Sequence, residues 1–89
     1  MTYNIIFSPT SEKQLAKLPG SISKRIIRKI YSIREKPDSF CEPLTDHQRS
    51  YNLGTGDYRI IMRISKNELT IFVLRVGNRK NVYNNLHLL

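Results

Sequence analysis

The spacing of apolar residues changes twice along the chain, from two to a helical period and back to two. Tyr3-Asn4-Ile5-Ile6-Phe7 is a short run of β-favouring residues closed by Ser8-Pro9, a helix N-cap followed by a proline at the first helical position. Leu15, Ala16 and Leu18 then give a first helix a narrow apolar stripe, which Pro19-Gly20 ends. Ser21 can cap a second helix. Its apolar positions Ile22, Ile26, Ile27, Ile30 and Ile33 mark one face, and Lys24, Arg25, Arg28, Lys29 and Arg34 cover the rest. Pro37 stops it by pushing Lys36 out of the helical region. Residues 38–48 have no period and read as a loop. Three strands follow, over about 49–53, 58–65 and 68–76, joined by turns at Gly54-Thr55-Gly56-Asp57 and Lys66-Asn67, where Gly and Asn tolerate positive φ.

Three consecutive strands with tight turns imply an antiparallel meander. The middle one sends Tyr58, Ile60, Met62 and Ile64 to one face and Arg59, Ile61, Arg63 and Ser65 to the other, so both faces carry apolar groups. In the tail 80–89, Val82, Leu86 and Leu89 suit a short closing helix. The expected fold is α+β in the order β-α-α-β-β-β with a short terminal α: a mostly antiparallel sheet covered by a two-helix hairpin. One domain over residues 1–89 is expected, without repeat or linker.

Charge narrows the partner. Fifteen Lys and Arg against seven Asp and Glu give a formal charge of +8, which favours a polyanion. A chain of this length buries only about 60–65% of its unfolded surface, with a stability of roughly 4–13 kcal/mol. No apolar run approaches the roughly 18 residues of a membrane span, and the N-terminus lacks a signal-peptide pattern, so a cytosolic location is expected. Cys41 is alone and no CxxC or His-x-x-His spacing occurs, so neither a disulfide framework, nor a metal, nor a cofactor is implied.

Two polar signatures carry the chemistry. Gly56-Asp57-Tyr58-Arg59 opens one strand and Arg75-Val76-Gly77-Asn78-Arg79-Lys80-Asn81-Val82-Tyr83 closes the next. Arginines at these places can converge on one phosphate, because the guanidinium fork grips phosphate oxygens bidentately and keeps its charge. With the excess positive charge, that points to RNA. By residues alone, Arg59 and Arg63 equally suit solvated strand charges or partners of Glu12 or Glu68, and Tyr83 suits an anchor for the tail.

The element order, the Lys17-Leu18-Pro19 helix end, the basic second helix ending at Glu35-Lys36-Pro37 and the two signatures together resemble the RelE/ParE toxin superfamily, specifically its RelE-like, RNA-cleaving branch. The resemblance covers nearly the whole chain. It implies a toxin of a type II toxin–antitoxin module, neutralised by a small acidic antitoxin in a hetero-oligomer and cutting mRNA in the ribosomal A site without a metal. It places the family's phosphate-gripping arginines on Arg59 and Arg79 and its C-terminal tyrosine on Tyr83. Lys80, which adjoins Arg79, Tyr83 and His47 are candidates for the proton acceptor, since an arginine cannot serve. Lys24, Arg25, Arg28, Lys29 and Arg63 form the candidate RNA-binding set. Ser50, Asn52 and Gly54 stand where RelE-like members commonly carry basic residues, Met62 where tyrosine is frequent, and Asn78 where histidine or lysine is often found. Two other readings stay open: a ParE-like inhibitor of DNA gyrase, and a non-catalytic, antitoxin-binding co-repressor.

Overall fold

The computed structural model describes residues 1–44 and 50–82. In it, Ser8 turns the chain from strand to helix as its neighbours demand. β1 (Asn4–Phe7) ends there, the Ser8 hydroxyl oxygen accepts from the Ser11 N–H at 3.1 Å, and Pro9 takes the first position of α1 (Pro9–Lys17). α2 (Gly20–Ser32) follows at once. The expected Ser21 cap is not used. Pro19 occupies the cap position, and its carbonyl takes the N–H groups of Ile22 and Ser23 at 3.0 and 3.1 Å, so the helix starts before Ser21.

α2 also stops earlier than Pro37 alone suggested. A proline offers no N–H to the carbonyl four residues back and disfavours helix at the residue before it; Lys36 stands at φ −144°, ψ 69°. The intervening residues tighten into three-residue bonds, Ile33 to Ile30, Arg34 to Tyr31 and Lys36 to Ile33. A single 3₁₀ turn over Pro37–Ser39 comes next.

The remaining strands are β2 (Glu42–Pro43), β3 (Ser50–Thr55), β4 (Tyr58–Ser65) and β5 (Thr70–Asn78), and the five form one sheet in the order β1-β5-β4-β3-β2. The meander β3-β4-β5 is antiparallel as read, while β1 lies parallel to β5 with Ile5 beside Ile71. β2 falls inside the segment read as a loop. Its two residues pair with Asn52 and Tyr51, too few to show a period, and Pro43 is tolerated because the strand is an edge.

Both hairpins differ from the sequence reading in register. Gly54 and Thr55 belong to β3, and the turn is Gly56–Asp57 alone, with Gly56 at φ +60°. Glycine at the first central position is what a two-residue hairpin of the II′ kind requires. After β4 the positive φ falls on Leu69 (φ 50°) rather than Asn67, and β5 resumes only at Thr70.

β5 carries a bulge. Ile61 pairs with Arg75 but Met62 pairs with Val73, leaving Leu74 unopposed. β1 stops opposite Val73, so beyond it the exposed edge of β5 is met by the first helix instead. The Ser8 hydroxyl donates to the Leu74 carbonyl at 2.8 Å, and the Gln14 side-chain oxygen accepts from the Val76 N–H at 2.7 Å. These bonds hold α1 on the sheet.

Ile26 and Ile30 of α2 and Ile33, which caps it, pack with Leu53, Ile60, Met62, Ile71, Val73 and Val76 in one core. Leu15 and Leu18 join at its margin, whereas Ala16 is exposed and Ser11 is buried in α1, its hydroxyl donating to the Ser8 carbonyl. The sequence split of β4 holds: Ile60 and Met62 meet the helices, and Arg59, Ile61 and Arg63 face away, with Ile61 buried there. The expected closing helix over 80–89 lies largely outside the described residues. Among the described residues no helix is long and apolar enough to cross a membrane.

Candidate functional site

The end of the sheet that carries the Gly56–Asp57 turn gathers the basic signatures. Arg59 pairs with Gly54 on one side and Gly77 on the other, on the face away from the helices. Gly54 has no side chain, and the arginine uses the room: a Cβ placed there would lie 3.0 Å from Arg59 Nη1 and 3.2 Å from its Cζ. Nη1 donates to the carbonyls of Gly56 and Tyr58, both at 2.9 Å. Two main-chain acceptors thus fix the half-buried guanidinium, and its remaining N–H groups make no hydrogen bond among the described residues.

On the neighbouring strand the chain reverses at Asn78, whose carbonyl accepts from the N–H groups of Asn81 and Val82 at 2.9 Å while its side-chain oxygen accepts from Lys80 N–H at 2.9 Å. Val82 is buried by this reversal, packed over Gly77: a Cβ at Gly77 would sit 3.5 Å from that of Val82. The turn 79–82 therefore folds back over the face that holds Arg59. Arg79 is tied to the hairpin as well, its N–H donating to the Asp57 carbonyl at 2.8 Å. Arg79 and Lys80 are exposed.

The structure divides the candidate RNA-binding set. Arg25 reaches from α2 to the same hairpin, with Nη2 3.0 Å from the place of a Gly56 Cβ. Lys24, Arg28 and Lys29 are exposed on α2, on the helix-covered side of the sheet. Arg63 is exposed on the opposite face, four residues along β4 from Arg59, or about 13 Å. Neither Arg59 nor Arg63 pairs with Glu12 or Glu68; among the described residues the ion pair is Lys66 with Asp38, at 3.1 Å. Tyr83 and His47 lie outside the described residues.

Three contributors were not singled out from sequence. Gly54 and Gly77 act by lacking a side chain, and Asn52 lies two residues before Gly54 on the same face with a buried Oδ1 that has no donor among the described residues. Cys41 is remote and inert: its thiol donates to the Pro37 carbonyl at 2.9 Å, and burial, with Asp38 adding to it, pushes its pKa to about 11. Among the described residues no three His, Cys, Asp or Glu side chains gather as a metal ligand set.

This sheet, helix pair and hairpin end make the chain a RelE-type toxin in fold. It matches the RelBE2 toxin–antitoxin complex of Mycobacterium tuberculosis with a TM-score of 0.80 and 26% identity, covering 89% of this chain and 100% of that one. The RelB–RelE antitoxin–toxin complex of Methanococcus jannaschii matches with a TM-score of 0.70 and 27% identity, over 90% and 96% of the two chains. In sequence it is 27% identical to Toxin RelG of Mycobacterium tuberculosis over 85 residues, 93% of this chain and 98% of that protein. Residues 5–83 match the ParE toxin family of type II toxin–antitoxin systems, parDE, and the chain belongs to that family, on the RelE-like side of the RelE/ParE superfamily.

Proposed function

We propose that this toxin is an RNA endonuclease that cuts messenger RNA on the ribosome and so stops translation. The observation that carries the reading is the Arg59 guanidinium, held over Gly54 by two carbonyls at the hairpin to which Arg79 is also tied. A donor fixed before the reaction costs no reorganisation when charge develops, and one such donor is worth about 10²–10³ in rate. Two guanidinium groups suit the doubly charged phosphorane better than one.

In this reaction the ribose 2′-hydroxyl attacks its own 3′-phosphate. The new O–P bond forms as the bond to the 5′-oxygen breaks, leaving a cyclic phosphate and a 5′-hydroxyl. Because the nucleophile is part of the substrate, neither an activated water nor a metal to make one is required. The remaining N–H groups of Arg59 face the phosphoryl oxygens, and Arg79 binds them from the 79–82 turn. Within the described residues Lys80, beside Arg79, is the candidate for the proton acceptor: as its neutral amine it takes the 2′-hydroxyl proton, and the resulting ammonium returns a proton to the departing 5′-oxygen. His47 and Tyr83 are the alternatives.

The same reading assigns Lys24, Arg28, Lys29 and Arg63 to ribosomal or messenger RNA, and an acidic antitoxin as the neutralising partner in a hetero-oligomer in the cytoplasm. A mostly apolar hollow beside the helices, lined by Phe7, Leu15, Ala16 and Ile27 with Glu12 and Ser23, lies next to the exposed cations Lys24 and Arg28 of α2. It suits a peptide that lays an apolar side into it and turns acidic groups toward those cations rather than toward Glu12. Inducing the toxin should create new 5′ ends inside translated messages and none in untranslated ones. Intact messages together with inhibited DNA supercoiling would instead support the gyrase reading.

The bed under Arg59 offers a separate check. Gly54→Ala puts a methyl 3.0 Å from Nη1. The arginine can yield because it is the free end of a long side chain, so the melting temperature should hold within about 3 °C. Cleavage should fall by roughly tenfold as the guanidinium leaves its aligned position. Full activity in this variant would show that the alignment over Gly54 is not used.

A further inference from the structure

We infer that Arg25 is a third phosphate-binding arginine of the cleavage site, gripping the backbone phosphate next to the scissile one; this rests on the nuclease reading above. Three further cations, Lys24, Arg28 and Lys29, share α2 and are exposed, and it is Arg25 whose guanidinium supplies the atoms nearest the place of a Gly56 Cβ in the reactive hairpin. Its Nη2 lies 3.0 Å from the place of a Gly56 Cβ, and the carbonyl of that same glycine accepts from Arg59 Nη1 at 2.9 Å. The two guanidinium groups therefore flank one peptide unit, within about 9 Å of each other by ordinary backbone dimensions.

Two like charges so placed repel unless an anion lies between or beside them. Neither has a carboxylate within ion-pair distance among the described residues, where the Lys66–Asp38 pair is remote from them. Arg25 makes no hydrogen bond within the described residues either. Its fork is available to a ligand, and its position is set by a glycine whose φ of +60° and missing side chain leave the approach clear. Successive phosphates of a single strand are spaced within this upper bound, so a chain whose scissile phosphate sits on Arg59 can place a neighbouring one within reach of Arg25. Being the same before and during the reaction, that contact serves binding rather than the chemical step.

The test uses the full-length toxin and a short single-stranded RNA carrying a 2′-deoxy substitution at the cut position, so that binding is read without cleavage. Arg25→Gln should weaken binding by roughly tenfold, as for loss of one charge-assisted contact, and should flatten the slope of log affinity against log salt by about 0.7, the value for one phosphate on a single strand. Arg25→Lys should restore the slope. With cleavable message on ribosomes, Arg25→Gln should raise KM while leaving kcat within about threefold. A wild-type toxin that leaves messages intact overturns the nuclease reading and this inference with it. Cleaving wild type with an Arg25→Gln variant unchanged in salt slope and KM overturns this inference alone, as does a loss that appears only in kcat, which would mark Arg25 as a support for the turn.

Discussion

Arg79→Ala should lose on the order of 10²-fold or more in cleavage of ribosome-bound message while binding the ribosome and the antitoxin as before. An interaction made mainly with the charge that develops on the phosphorane is missing from the transition state but scarcely from the ground state, so the loss belongs in kcat. The fold should survive, because Arg79 is exposed and its contact with the hairpin is made by its backbone N–H, which alanine keeps. Arg79→Lys should rescue little, since a point charge cannot reproduce a planar fork. Arg59→Ala should fall at least as far: it removes the guanidinium from above Gly54 and also releases the Gly56 and Tyr58 carbonyls that Nη1 now binds. If the two arginines serve one oxyanion, the double variant should lose less than the product of the two single losses. Single-turnover rates on programmed ribosomes measure each of these.

Ile30→Ala should be the most damaging change to stability, at about 2–5 kcal/mol. Ile30 is completely buried and belongs to the cluster in which α2 meets β3, β4 and β5. A domain of this size has roughly 4–13 kcal/mol in total, so the loss takes a large share. It should lower the melting temperature by about 8–40 °C, at about 4–8 °C per kcal/mol. Urea titration gives the same quantity independently, and the molecules still folded should cleave at the wild-type rate, because the reacting phosphate is held from β4 and the turn after β5 and Arg25 lies more than a turn from Ile30 along α2. A loss under about 1 kcal/mol would mean that the helices are not held by this core.

The parts of the fold that sequence revealed are those whose signals are local. Ser8-Pro9 announces a capped helix wherever it stands, and the repeat of Ile22, Ile26, Ile30 and Ile33 can bury only one face. What escaped depends on partners distant in the chain. β2 exists because Asn52 and Tyr51 accept two residues as an edge, and the parallel place of β1 beside β5 has no local mark. The left-handed residue between β4 and β5 is Leu69, not Asn67, so composition pointed to the wrong position in that turn.

The site was legible to a similar degree. Arg59 and Arg79 were singled out by a resemblance between signatures, not by periodicity. Gly54 was hidden by reading four residues as a turn; a two-residue turn at Gly56–Asp57 would have set Gly54 opposite Arg59. Arg25 could not be told from its neighbours on the exposed side of α2, because helical spacing treats Lys24, Arg25, Arg28 and Lys29 alike. Only the place where the β3–β4 hairpin ends distinguishes it.

The most direct test adds purified wild-type toxin to ribosomes programmed with one defined message and maps the 5′ ends of the products, beside the same message without ribosomes. Cleavage within the codon presented on the ribosome, leaving a 5′-hydroxyl and a cyclic or 3′ phosphate, and abolished in the Arg59→Ala, Arg79→Ala double variant, is the predicted result. Message left whole on the ribosome by wild-type toxin, or cut equally by the double variant, would contradict it.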